Sequence, residues 1–82
     1  TYDLCKPGQN YEGLIKAIKN YNCCRIAESA WVITGAKSSV EIRDYLKTKI
    51  DKNDKLFVAR LTGEAAWYGE TDAITKWLKE YL

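Results

Sequence analysis

The chain has 82 residues, 46% of them hydrophobic and 29% charged, and a formal charge of +2. That is enough for one domain and is the balance of a folded chain, not a disordered one. So small a charge does not by itself mark a nucleic-acid binder, and no apolar run approaches the roughly 18 residues of a membrane span. There is no histidine, which removes the usual general base, the usual imidazole ligand and every Ser-His-Asp or Cys-His arrangement. Any catalysis must run on carboxylates, tyrosines, cysteines, lysines or a bound metal. The three cysteines are an odd number, with Cys23 and Cys24 adjacent. That fits no closed disulfide framework and predicts a reducing, cytoplasmic location.

Thr1 to Leu4 has the pattern of a strand end. Strands usually run to about five or six residues, so several more apolar residues of this first strand are expected upstream. Cys5 to Asn10 is a turn built on Pro7-Gly8, with Asn10 placed to cap a helix. Leu14, Ile15, Ala17, Ile18 and Tyr21 recur at helical spacing, which predicts a helix over 10–21. Asn22 closes it. The β-branched and aromatic stretch that follows is broken at Glu28-Ser29, giving two short strands near 23–27 and 29–35. Ser38-x-x-Glu41 is a capping box, and Val40, Ile42, Tyr45, Leu46 and Ile50 carry a second helix. Leu56 to Leu61 is a strong strand pattern ended by Thr62-Gly63. Thr71-Asp72 then opens a third helix, with Ile74, Trp77, Leu78 and Tyr81 on one face.

Strand, helix, two strands, helix, strand, joined by right-handed crossovers, predicts an α+β fold. The expected form is a ferredoxin-like split β-α-β sandwich (βαββαβ), a single domain over 1–82 with an added C-terminal helix. Two helices would cover one sheet face. The other face would be buried by dimerisation or under the third helix.

Three segments resemble a known family. Tyr2-Asp3-Leu4 ends the first strand, Arg25-Ile26-Ala27-Glu28-Ser29-Ala30-Trp31-Val32 crosses into the third, and Asp54-Lys55-Leu56-Phe57-Val58 opens the fourth. The pattern is similar to the small CRISPR-associated adaptation protein, the ferredoxin-like dimeric partner of the CRISPR integrase. Its compact SinR-type branch is closer still, through Tyr2-Asp3-Leu4-x-Lys6-Pro7-Gly8-x-Asn10-Tyr11 and Ala66-Trp67-Tyr68-Gly69. The resemblance implies a homodimer in which Asp3 lies near the twofold, where two copies can hold Mg2+ or Mn2+, with Ser29 near that metal. It also implies either a metal-dependent nuclease or a scaffold that binds duplex DNA. The chain departs from the family in two ways: arginines are missing from the helix after Asp3, and a helix replaces an exchanged C-terminal strand.

Asp3 also has a chemical case of its own, because a strand-end carboxylate suits a hard cation that accepts one or two carboxylates. Its alternative role is to bond the backbone of the Lys6-Pro7-Gly8 turn. Ser29 can position a phosphate or water, or serve only to relieve a bulge. Arg25 and Arg60 lie in predicted strands. Arg60 shares a face with Leu56 and Val58 and is expected on the open sheet face, free to clamp a phosphate or paired with Glu64 or Glu70. Lys6, Lys16 and Lys19 can form a basic stripe or a solvated helix face. The aromatics Tyr2, Tyr11, Trp31, Trp67, Tyr68, Trp77 and Tyr81 suit core packing, or base stacking where exposed. Cys23 and Cys24 are expected to be buried filler.

The expected function is a homodimeric nucleic-acid-associated protein that binds DNA or RNA, with a metal-dependent phosphodiesterase on Asp3 and Ser29 as its enzymatic version. Binding is favoured over cleavage, since one carboxylate without histidine makes a thin active site. A toxin-like ribonuclease and a regulatory or structural dimer without nucleic-acid activity are the alternatives. No membrane partner is expected.

Overall fold

The computed structural model describes residues 1–4, 11–35 and 38–82. In chain order the elements are β1 (Tyr2–Asp3), α1 (Glu12–Ile18), β2 (Asn22–Ala27), β3 (Ala30–Thr34), α2 (Ser39–Leu46), β4 (Lys55–Leu56) and α3 (Asp72–Tyr81). A 3-10 turn, Lys47–Lys49, extends α2. The fold is α+β, with β1 antiparallel to β4, β2 antiparallel to β3, and three α-helices. Among the described residues no helix is long and apolar enough to cross a membrane.

The local signals act where they were expected. The Glu41 N–H donates to Ser38 Oγ at 3.2 Å, and the Ile74 N–H to Thr71 Oγ1 at 3.2 Å, so both helix starts are capped by side-chain oxygens. α1 differs: its N-cap position is Tyr11, which gives no side-chain cap bond, and Asn10, the expected cap, lies outside the described residues. α1 is shorter than 10–21 because its last turn tightens. The Asn20 and Tyr21 N–H groups reach back three residues, to the Ala17 and Ile18 carbonyls, at 3.2 and 3.0 Å. α2 likewise stops before Ile50, which is extended (φ −130°, ψ 166°) yet still packs against the core. Gly35, at φ +74°, follows the last residue of β3 in a conformation that favours glycine.

The largest departure is in β4. The pattern predicts a strand over 56–61, whereas only Lys55–Leu56 is paired. Thr1 and Phe57 extend the pairing by one step, exchanging hydrogen bonds of 3.0 and 2.8 Å. Beyond Phe57 the chain has no strand neighbour among the described residues. A strand needs a partner as well as a pattern.

Leu14, Ala17 and Ile18 of α1 and Ile42 and Leu46 of α2 form the core with Tyr2 of β1. Cys23, Trp31, Ile33, Leu56 and Val58 pack against it. Both helices therefore lie on a common side of the two sheets. α3 packs against β2 and buries Leu78. Trp67 Nε1 donates to Thr75 Oγ1 at 3.1 Å, which ties the Ala66–Gly69 motif to α3. The Tyr2 N–H also donates to the Ser29 carbonyl at 3.0 Å, linking β1 to the second sheet.

Candidate nucleic-acid interface

Tyr2 organises this corner of the molecule. Its N–H holds the Ser29 carbonyl, and its hydroxyl donates to the Glu28 carbonyl at 3.4 Å and accepts from Trp31 Nε1 at 3.2 Å. Arg25 turns back on the same hairpin. Its Nε donates to the Glu28 carbonyl at 3.1 Å, Nη2 donates to the same oxygen, and Cζ lies 5.0 Å from the Trp31 ring centroid. One backbone carbonyl thus receives donors from β1 and β2. The β2–β3 turn is thereby fixed against the first strand.

Asp3 follows Tyr2 in β1, and alternation along the strand turns its side chain away from the core face on which Tyr2 meets Trp31. Asp3 is exposed, and among the described residues its carboxylate has no hydrogen-bond partner. The turn that would hold it, and Lys6 with it, lies outside the described residues. Antiparallel pairing sets Lys55 opposite Asp3, and directly opposed residues have Cα atoms only about 4.5–5.5 Å apart. A cation across the strand opposes binding of a second cation. Among the described residues no group of three or more Cys, Asp or Glu side chains is placed to hold a metal. One chain's residues, a single carboxylate beside a lysine, therefore do not fit Mg2+ or Mn2+.

Ser29 is half-buried in the two-residue turn between β2 and β3. The irregular register of the hairpin lies earlier, between Arg25 and Ala27, so Ser29 is not itself the bulge. Arg25 is exposed but has two donor nitrogens engaged by Glu28. A phosphate there would use the remaining guanidinium N–H groups.

Arg60 departs from expectation. Leu56 and Val58 pack on the α1–α2 core, so the face it would share with them in an extended chain is the helix-covered face, not the open one. Arg60 is exposed and forms no ion pair with Glu64 or Glu70 among the described residues. It lies on the segment after β4.

The aromatics divide by role. Tyr2 and Trp31 serve the network described above, and Trp77 and Tyr81 contact each other at 4.8 Å between ring centroids. Tyr68, which core packing would have buried, is 100% exposed and is the open aromatic face of the Ala66–Gly69 motif. Cys23 and Cys24 are free thiols, half-buried rather than buried outright. The part sequence reasoning missed is the Glu28 carbonyl, because a backbone acceptor leaves no mark in residue type. Comparison of the chain with family models, with curated proteins and with solved structures finds no match.

Proposed function

We propose that this chain is a homodimeric nucleic-acid-associated protein of the kind its sequence resembles, the small ferredoxin-like adaptation proteins, and that it acts by binding rather than by cleavage. In this reading the two small sheets are parts of one sheet in the order β4-β1-β3-β2, with α1 and α2 on one face. The antiparallel pairs β1–β4 and β2–β3 support that order, as does the common side taken by both helices. The observation that carries the reading is the Tyr2–Ser29 hydrogen bond, which joins the two pairs.

Binding is the better reading because the donor set of one chain does not make a metal centre, while exposed cationic and aromatic groups remain at Arg25, Arg60 and Tyr68. Phe57 and Leu61 are 66% and 48% exposed, which is apolar surface for a second copy to cover. The phosphodiesterase version needs two Asp3 carboxylates brought together across a twofold.

Fluorescence anisotropy with labelled duplex DNA and RNA between about 50 and 200 mM salt tests the proposal. Affinity is expected to fall steeply with salt, and Arg60→Ala to weaken all sequences alike and lower the salt slope by about one. Absent binding, or binding indifferent to salt, would overturn it and favour a regulatory or structural dimer. The labelled strands are expected to survive incubation with magnesium. Cleavage that disappears in Asp3→Asn would replace binding with the nuclease reading.

A further inference from the structure

β4 has one neighbour, β1, and its outer edge has none among the described residues. The hydrogen bonds show which groups that edge offers. Thr1 and Phe57 exchange N–H···O bonds in both directions, so Phe57 uses its backbone on β1. In an antiparallel ladder the residues on either side, Leu56 and Val58, then turn their N–H and C=O groups to the opposite edge. Among the described residues those groups have no backbone partner. The side chains alternate as well. Leu56 and Val58 pack on the core, whereas Phe57 and Ala59 are exposed, as is Leu61 beyond them. An apolar edge with unpaired backbone groups is a template for another strand.

We propose that residues 57–61 pair antiparallel with the same residues of a second copy, about a twofold axis at Ala59. The pairing rests on the homodimeric reading above and not on nucleic-acid binding. Val58 then exchanges backbone bonds with Arg60 of the second copy, and Arg60 with Val58 of the second copy, which satisfies the outer edge of both strands. At each end Phe57 lies opposite Leu61 of the second copy, an aromatic–aliphatic pair on the exposed face. The occupant is a second copy because the segment complements itself, with a large apolar residue at each end and a small one at the centre.

The register is specific. A twofold at Arg60 would set two guanidinium groups directly opposite each other, and like charges so placed destabilise a sheet. A twofold at Val58 would set Phe57 against Ala59 and Leu61 against Lys55, which loses the apolar pair. Side chains opposite each other share a face, so the core-facing sides of both copies come to one side of a continuous sheet. The surface area agrees with a dimer. The chain exposes 6200 Å², whereas a folded monomer of its mass, 9.4 kDa, exposes about 5,000 Å². A standard interface takes about 800 Å² from each partner, so the surplus is large enough for one.

Sedimentation equilibrium on the 82-residue chain and two variants tests the register. Phe57→Asp is expected to raise the dimer Kd by about tenfold or more, since a carboxylate then meets Leu61 of the other copy at both ends. Adding Leu61→Lys to it is expected to restore most of that affinity, because each carboxylate then lies opposite an ammonium group of the other copy. Within one chain the two positions are about 14 Å apart along a strand, too far to pair. A dimer that Phe57→Asp leaves unchanged, or a double variant as weak as the single one, overturns the pairing and leaves the homodimer standing. A wild-type chain that stays monomeric at millimolar concentration overturns both. Should either substitution unfold the chain, Ala59→Cys decides instead. Directly opposed Cα atoms on the twofold lie about 4.5 Å apart, within disulfide reach. Air oxidation is then expected to link the two copies through position 59, as peptide mapping by mass spectrometry would show. A chain that stays unlinked there overturns the pairing.

Discussion

Cys24 shows how much of this molecule's chemistry is decided side chain by side chain. Burial, then the carboxylate of Glu70, then the neighbouring Cys23 push its thiol above the ordinary range. The native chain therefore keeps a proton that the unfolded chain releases. The stabilisation this contributes is complete below the ordinary thiol value of 9.0 and is lost as pH climbs through the raised folded value. Alkylation of Cys24 near pH 8 is expected to be slower than that of a cysteine in an unstructured peptide, and Glu70→Gln to quicken it, as peptide mapping after timed iodoacetamide would show. Equal rates in both chains would mean that Glu70 has no influence there. The candidate site divides on the same scale. Asp3, Ser29 and Arg25 are legible as residue types, whereas the bonds that build the Tyr2 corner come from Tyr2, Arg25 and Trp31. The hydroxyl of Tyr2 and the carbonyl of Glu28, which build that corner, are not legible, since the bond between them spans 26 positions.

At the scale of elements, legibility follows the range of the interactions. Ser38 and Thr71 each cap a helix through a bond to the N–H three residues on, so a four-residue window contains the whole signal. Ser38→Ala is expected to cost about 1 kcal/mol, seen as a lower midpoint in urea, because α2 loses the acceptor for Glu41 N–H. Ser38→Asp should recover most of the loss. The chain beyond Leu56 shows the opposite case. Phe57 to Leu61 has strand composition, but only its first residue meets a partner, Thr1, and the rest lines a groove. Composition reports what a segment is suited to pair with, not whether the partner is beside it.

For the whole molecule, stability rests on one small core. Leu14 is wholly buried where α1 meets α2, Tyr2 and the hairpin. Leu14→Ala is expected to destabilise by about 2–5 kcal/mol through lost transfer energy and the cavity left behind. That is a large share of the roughly 5–15 kcal/mol typical of a native domain. Chemical denaturation followed by tryptophan fluorescence checks it, and a change below about 1 kcal/mol would show that the core closes over the gap.

What the sequence by itself determined is the set of local decisions: the order of the elements, their caps, the turn at Glu28-Ser29 and the α+β class. Each rests on interactions within a few residues or on a period repeated within one element. Only the tertiary structure decided that Leu56 and Val58 pack on the α1–α2 core, that Arg25 folds back onto Glu28, and that β3 and residues 57–61 line one groove. Those outcomes depend on contacts between segments far apart in the chain. Residue type carries no record of which distant backbone edge will lie opposite, so pairing, facing and vacancy between strands emerge only once the chain is packed.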